Sequence, residues 1–520
     1  MKPDLPGLRH NAVNVLSTWL LQAGTLLFAL ISVPLVTRRF GLEGLGIWLL
    51  VQQLASHMQL LEMGLASSLG RLLSRDHALS KATAYTRHAS SAIAILLVMG
   101  GFLVLLAVPM GRAFPHVFEL PSHLAPDAEW MLAIAIVATG LTLPLRSAIG
   151  ILSSQHRFAL QASGDGFALI LRVALIVVVC TMLEQHALIA LSLAVFAPGL
   201  IGSLVLFVVA NRSAPYVLFS PRTVGVQPMR ELLDISLAAM VVTLAAVLLR
   251  QGGGMLAGYS LGVESVPLIA LPVMLVVSLG PLLGIANQLI SPIASRLDAT
   301  KRVDELHRVY LTAVRYTLTG GLFIYATLIL LAPYLLPLWL GRQSLEPHHV
   351  HAIHMNLLLI FGGYCLAIPA FLARAVLVSV GRHRIAARGE LISSLVGLTI
   401  GWVLMEALDF GAIGMACGIA AAYLIRAGGA LVRQLALYFD MPLTQLYSEV
   451  WRRPLLSALP LLLAFVPVIS GNGELHTMAL FVALALVLWV WLAFHHVVPE
   501  THREKFWRVL RKTAHGKENL

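Results

Sequence analysis

The chain has 520 residues, 58% of them hydrophobic and only 12% charged, with a mean hydropathy of +0.84 and a formal net charge of +11. Soluble proteins carry about 25% charged residues, so a string of soluble domains is excluded. The positive charge is spread through short loops between apolar blocks rather than gathered on one exposed face, which argues against a nucleic-acid partner.

The apolar blocks have the length that crosses a bilayer. Lipid offers no partner to a free backbone group, so such blocks are expected to be helices. In chain order the predicted spans are 14–36, 45–66, 89–111, 129–151, 166–183, 187–210, 235–259, 265–290, 313–336, 353–380, 390–408, 411–433, 454–470 and 477–498. The expected fold is therefore an all-α polytopic membrane protein of about fourteen transmembrane helices. Lys2 and Arg9 precede the first block, which is span-length and lacks a small-residue cleavage site, so it reads as an uncleaved helix. Cys180, Cys365 and Cys417 lie in or beside apolar blocks and imply no disulfide framework.

Lysine and arginine set the orientation. Of the 36, 26 fall on the side of the N-terminus, four (Arg38, Arg39, Arg112, Arg342) on the other, and six within spans or at their edges. Both termini are therefore expected in the cytoplasm. The longest outward loop, about 112–128, holds Pro115, Pro121 and Pro126 and leaves no room for a soluble domain. The basic tail 499–520 carries Phe506 and Trp507, and two readings of it stay open: contact with anionic lipid, or simple solvation.

The chain repeats itself. Residues 141–165 (LTLPLRSAIGILSSQHRFALQASGD) and 366–390 (LAIPAFLARAVLVSVGRHRIAARGE) share eight of 25 positions at an offset of 225, including Pro144/Pro369, Arg157/Arg382 and Gly164/Gly389. Asp165 stands opposite Glu390. Gly41-Leu42-Glu43 is echoed by Gly262-Val263-Glu264. Six helices separate the copies, so both run the same way through the membrane, and substrate typically binds where parallel repeats meet. The predicted organisation is an N-lobe of spans 1–6 (residues 1–230), a C-lobe of spans 7–12 (231–440), and spans 13–14 with the tail (441–520).

Arg38-Arg39-Phe40-Gly41-Leu42-Glu43-Gly44-Leu45-Gly46, Leu60-Leu61-Glu62-Met63-Gly64-Leu65, and Gly150-Ile151-Leu152 followed by Gln155-His156-Arg157 resemble loop and span-end motifs of a known family. They are similar to those of Wzx-type polysaccharide flippases in the multidrug/oligosaccharidyl-lipid/polysaccharide exporter superfamily, where the acid at Glu62 is more often Asp. The resemblance covers spans 1–12. It implies alternating access by two six-helix lobes in a bacterial inner membrane, and flipping of undecaprenyl-diphosphate-linked oligosaccharide to the periplasmic leaflet. The implied partners are that lipid-linked glycan, membrane lipids and other polysaccharide assembly proteins.

Charges within spans are costly and are functional candidates by default. Arg250 is the deepest by position, and about 14 Å of helix rise on its shorter side makes snorkelling difficult. Gly252, Gly253 and Gly254 follow it; a hinge and close helix contact are both open readings. Arg172, Arg374, Arg426 and Arg146 lie nearer helix ends. Together they fit a cationic cavity for a lipid diphosphate, whose oxygens suit the guanidinium fork. Glu62 is a candidate for ion coupling or for an arginine ion pair. Gln22, Gln52, Asn287 and Gln288 suit sugar hydroxyls or helix-to-helix hydrogen bonds.

His348, His349, His351 and His354 cluster between spans and read as a solvated loop rather than a metal site. No zincin, Walker A or nucleophile-elbow pattern occurs, and the glycines of 41–46 lie between spans, so no catalytic residue, cofactor or metal is predicted. Two other functions compete. A drug/cation antiporter of the same superfamily would favour carboxylates where this chain has arginines. A membrane-embedded glycan polymerase or ligase would need larger outward loops.

Overall fold

A computed structural model of the chain describes residues 8–62, 64–341, 346–470, 475–498, 500 and 503–504. The tail residues Phe506 and Trp507 lie outside them. The described chain is helical and, among the described residues, has no strand. It runs α1 (Leu8–Gln59), a 3-10 turn at Leu60–Glu62, α2 (Leu65–Ala78), α3 (Ala82–Val117), α4 (Ala125–Leu145), α5 (Ser147–Ser154), α6 (Phe158–Met182) and α7 (Ala187–Ser213). It continues through α8 (Val226–Leu261), α9 (Ser265–Ala299), α10 (Val303–Leu340), α11 (Pro347–Ser379), α12 (His383–Trp402) and α13 (Gly411–Ile425). A π turn at Arg426–Ala430 leads into α14 (Val432–Tyr438), α15 (Leu443–Ser470) and α16 (Leu475–His496).

Each predicted span lies on this helical chain. Among the described residues, nine stretches are long and apolar enough to cross a membrane. Spans one and two share the first of these, Ala23–Ala78, and meet at a kink. The kink is at Gly41, whose φ of 68° and ψ of −166° are open to glycine but strained for other residues. Shorter apolar stretches at Ser265–Ser278 and Val482–His496 fall on spans eight and fourteen.

The structure departs from the sequence reading in the connections. Part of the supposed loop 67–88 is the helix α2, which buries Leu65, Leu69, Leu72 and Leu73 while keeping Arg71 and Arg75 outside. The supposed outward loop 112–128 is shorter than expected, because α3 continues through Pro115 to Val117. The supposed histidine loop is the start of α11; His354 is buried there, its Nε2 3.1 Å from the Ile329 carbonyl oxygen.

The chain divides into two compact units. Unit 1 comprises 1–274, 337–353 and 402–415, and unit 2 comprises 275–336, 354–401 and 416–520. Within unit 1, α8 is tied to α2. Ser236 Oγ donates to Ser68 Oγ at 3.0 Å, and Glu231 receives Arg75 Nη2 at 3.2 Å. Unit 2 centres on Leu306 and Tyr310 of α10, Ile368 and Leu372 of α11, and Leu435 of α14, with Leu431 just before it.

The repeat is visible in backbone geometry. In unit 1, His156 N–H donates to the Ser153 carbonyl (3.0 Å) and Arg157 N–H to the Leu152 carbonyl (2.9 Å). In unit 2, Gly381 N–H donates to Val378 (3.2 Å) and Arg382 N–H to Leu377 (2.8 Å). These are the two bonds of a Schellman helix stop, offset throughout by 225. The left-handed residue it needs is His156 in one copy (φ 55°) and Gly381 in the other (φ 81°). Gly164 faces Leu206 and Gly389 faces Leu431, again 225 apart. Gly262, the echo of Gly41, also has positive φ, at 86°.

Candidate functional site

Four of the five candidate arginines fall into two clusters, one inside each unit. In unit 2, α11 supplies Arg374, α12 supplies Glu390, Ser393 and Ser394, and the π turn opens on Arg426. Glu390 Oε1 lies 3.3 Å from Arg374 Nε; the carboxylate side chain is 3% exposed and that of the arginine 35%. Arg426 is buried. Its Nε donates to Ser393 Oγ at 2.9 Å and its Nη2 to Ser394 Oγ at 2.7 Å, with the Glu390 carbonyl at 3.5 Å.

Each serine hydroxyl in turn donates to the Glu390 carbonyl, at 2.9 and 2.8 Å. The hydroxyls therefore relay between guanidinium and backbone, which suits a segment where lipid can satisfy neither. The wider π turn accommodates Arg426, and Tyr447 Oη donates to the Ala427 carbonyl at 2.6 Å. The guanidinium lies 5.7 Å from the Tyr423 ring centre. Tyr423 belongs to an aromatic wall with Tyr364 and Phe371, at ring separations of 5.3 and 6.2 Å. Tyr364 reaches on to Tyr325 at 5.5 Å.

In unit 1, Arg146 Nε donates to Glu62 Oε2, so the candidate coupling residue is held in an ion pair. Asp165 on α6 is exposed and lies within electrostatic reach of Arg146 and Arg172. Arg172 is half-buried, its guanidinium carbon 5.6 Å from the Phe28 ring centre and its Nε without a hydrogen-bond partner.

Arg250 is exposed, and its Nε donates to the Ala246 carbonyl of its own helix at 3.3 Å. Gly252, Gly253 and Gly254 are buried inside α8, which runs through them unbroken. A Cβ at Gly254 would stand 2.6 Å from Gln53 Nε2, so this glycine provides room for a neighbouring side chain. Gln52 is half-buried in unit 1, and Asn287 is half-buried in unit 2 with its Oδ1 unpartnered. The side chains of Gln22 and Gln288 lie outside the described residues. Among the described residues, no group of His, Cys, Asp and Glu could hold a metal.

One network was not legible in the sequence. His88 is buried with its Nδ1 2.6 Å from Asp76 Oδ2 and its Nε2 3.3 Å from Glu231 Oε2. Partial burial pushes the Glu231 carboxyl up, but the hydrogen bonds and charges of His88 and Arg75 outweigh it and hold the group below its ordinary 4.5. His88 and Asp76 are twelve residues apart on different helices, and Glu231 is 143 residues from His88. Neither spacing leaves a pattern in the chain.

Membrane-length helices with an internal repeat in their backbone geometry define the class as a polytopic helical membrane protein. Residues 12–298 match the family described as polysaccharide biosynthesis protein, and the chain belongs to that family. No curated protein sequence matches the chain significantly. Solved structures of the same fold include an inward-facing multidrug resistance MATE family transporter of the MOP superfamily. It has a TM-score of 0.71 and 14% identity over 81% of this chain and 95% of that one. The lipid II flippase MurJ in an inward closed conformation gives 0.69 and 12% identity over 94% of this chain and 100% of that one. A MOP superfamily transporter from Pyrococcus furiosus, described as having a binding pocket of reverse polarity, gives 0.60 and 16% identity over 85% and 97%. The chain is thus a multi-pass membrane protein of that family, with the fold these solved transporters share.

Proposed function

We propose that this protein flips an undecaprenyl-diphosphate-linked oligosaccharide from the cytoplasmic to the periplasmic leaflet of a bacterial inner membrane, without bond chemistry, for surface polysaccharide export. The observation that carries the reading is the excess of arginine over carboxylate at Arg374, Glu390 and Arg426. A cation substrate would be repelled there, whereas phosphate oxygens match the forked donors. The half-buried rings of Tyr364 and Phe371 would face sugars in unit 2, where Asn287 would offer an amide to their hydroxyls, as Gln52 would in unit 1.

Transport would proceed by alternating access of the repeat halves, 1–230 and 231–440, with residues 441–520 appended and both termini cytoplasmic. Bending of α8 at Gly252–Gly254 would assist, and Arg250, held only by its own helix, would contact the headgroup in passing. Arg146 and Arg172 would offer cationic contacts of their own in unit 1. Other polysaccharide assembly proteins would receive the product.

The test is genetic. A strain lacking this gene should lose surface polysaccharide and accumulate one lipid-linked intermediate; the wild-type gene should restore export and an Arg374→Ala/Arg426→Ala variant should not. Normal export by that variant at normal protein level would refute the role of the cluster. Resistance to cationic dyes on expression would move the protein to the drug antiporters.

A further inference from the structure

The two arginines of unit 2 are held by different means. Arg426 is fixed by neutral partners: two serine hydroxyls, one carbonyl and the face of Tyr423. Arg374 is held by a full charge, the Glu390 carboxylate, its one ion-pair partner among the described residues. Glu390 is almost wholly covered while a third of the Arg374 side chain is open. The carboxylate is therefore covered by protein, while part of the Arg374 side chain stays open to an incoming anion.

This arrangement has an energetic consequence. A buried arginine with no anion is costly, and one locked to a permanent carboxylate is poorly available to a ligand. An arginine whose carboxylate can be exchanged for another anion avoids both. The guanidinium stays compensated in the empty and the loaded protein, and the cost of giving up the carboxylate limits how tightly the ligand binds.

We infer that Glu390 is a displaceable counter-ion: it positions Arg374 in the empty protein and yields it to a phosphate of the transported diphosphate headgroup, while Arg426 stays anchored on Ser393 and Ser394. Glu390 acts through Arg374 and is a positioning residue. The inference rests on the diphosphate-linked substrate proposed above and adds to it a residue that limits affinity so that release can follow.

The experiment measures binding of inorganic diphosphate and of undecaprenyl diphosphate to the full-length protein in lipid nanodiscs, with polysaccharide export scored in parallel. Glu390→Gln should bind both probes about tenfold more tightly, equivalent to about 1.4 kcal/mol, yet export more slowly, separating affinity from turnover. Arg374→Ala should bind both more weakly, and adding Glu390→Gln to it should change nothing further. Glu390→Asp, which keeps the charge, should restore export towards wild type; this, with melting temperatures for each variant, separates the effect from misfolding. If Arg374→Ala weakens binding but Glu390→Gln does not tighten it, the counter-ion role is overturned and the proposed function stands. If neither probe binds wild type better than Arg374→Ala, the diphosphate site itself falls. Tightening toward inorganic diphosphate alone would overturn the assignment to a lipid headgroup.

Discussion

Asp165 and Glu390 hold the same place in the repeat, yet their surroundings differ. Asp165 is exposed, with Arg146 and Arg172 in electrostatic reach, and Arg146 already has its own partner in Glu62. Two arginines there meet two carboxylates. Glu390 is buried; Arg374 pairs with its carboxylate, and Arg426 reaches its backbone carbonyl. The backbone around the two acids is copied, down to the hydrogen bonds of the preceding helix stop. The arginines are not copied: at the offset of 225, Arg374 corresponds to Ile149, Arg426 to Ile201, Arg146 to Phe371 and Arg172 to Gly397. Duplication thus accounts for the scaffold, and charge was placed on it separately in each half. Of the two clusters, that of the second half holds more arginines than carboxylates, Arg374 and Arg426 against Glu390.

The largest effect should come from Arg426→Ala, which removes the surplus. Loss of its charge-assisted hydrogen bonds, each worth about 1.5–3 kcal/mol, should lower the transport rate roughly 30-fold or more in an export assay. Arg172→Ala should cost several times less, and equal losses would erase the distinction between the clusters.

Arg146→Ala should act mainly on stability. Glu62 would be left with little solvent and no partner, a loss of about 1–2 kcal/mol once partial exposure is allowed for, read as a lower melting temperature in detergent. The exchange Glu62→Arg/Arg146→Glu should recover part of it. If export fails in the exchanged protein while its melting temperature recovers, Arg146 also touches substrate.

The paired glycines test the scaffold itself. A Cβ at Gly164 would stand 2.6 Å from Leu206 Cγ, whereas at Gly389 the nearest atom is 3.3 Å away. Gly164→Ala should therefore destabilise by about 1 kcal/mol through overpacking. Gly389→Ala should be near neutral, since helix propensity offsets mild crowding. The smallest effect is expected for Arg250→Ala, a fall in export of about threefold at most, given that only its own helix holds it. Abolished export would shift the principal contact to unit 1.

Much of the architecture was legible because lipid leaves the backbone few options: span-length apolar blocks must be helices. The repeat was legible because its marks are residues with fixed backbone roles, such as Gly164 and Gly389 at close helix approaches. The loops were read less well. The amphipathic α2 lacks the length and apolarity of a span, and α3 outlasts its apolar block. At the site, Arg374 and Arg426 were legible as charges out of place in a membrane, and Arg250, read as deepest by position, is an exposed side chain bonded to a carbonyl of its own helix. Glu390 could be found only as half of a repeat pair.

The sequence by itself determined the helical, polytopic class, the repeat and the shortlist of arginines, because each is a property of local composition or spacing. Only the tertiary structure decided which arginines are neutralised and which are not. That outcome depends on side chains brought within about 3 Å from different helices, such as Arg374 with Glu390 and Arg426 with Ser393 and Ser394. Hydrogen bonds and ion pairs fall off over distances far shorter than a helix, so their partners are fixed by contact between helices and not by order along the chain.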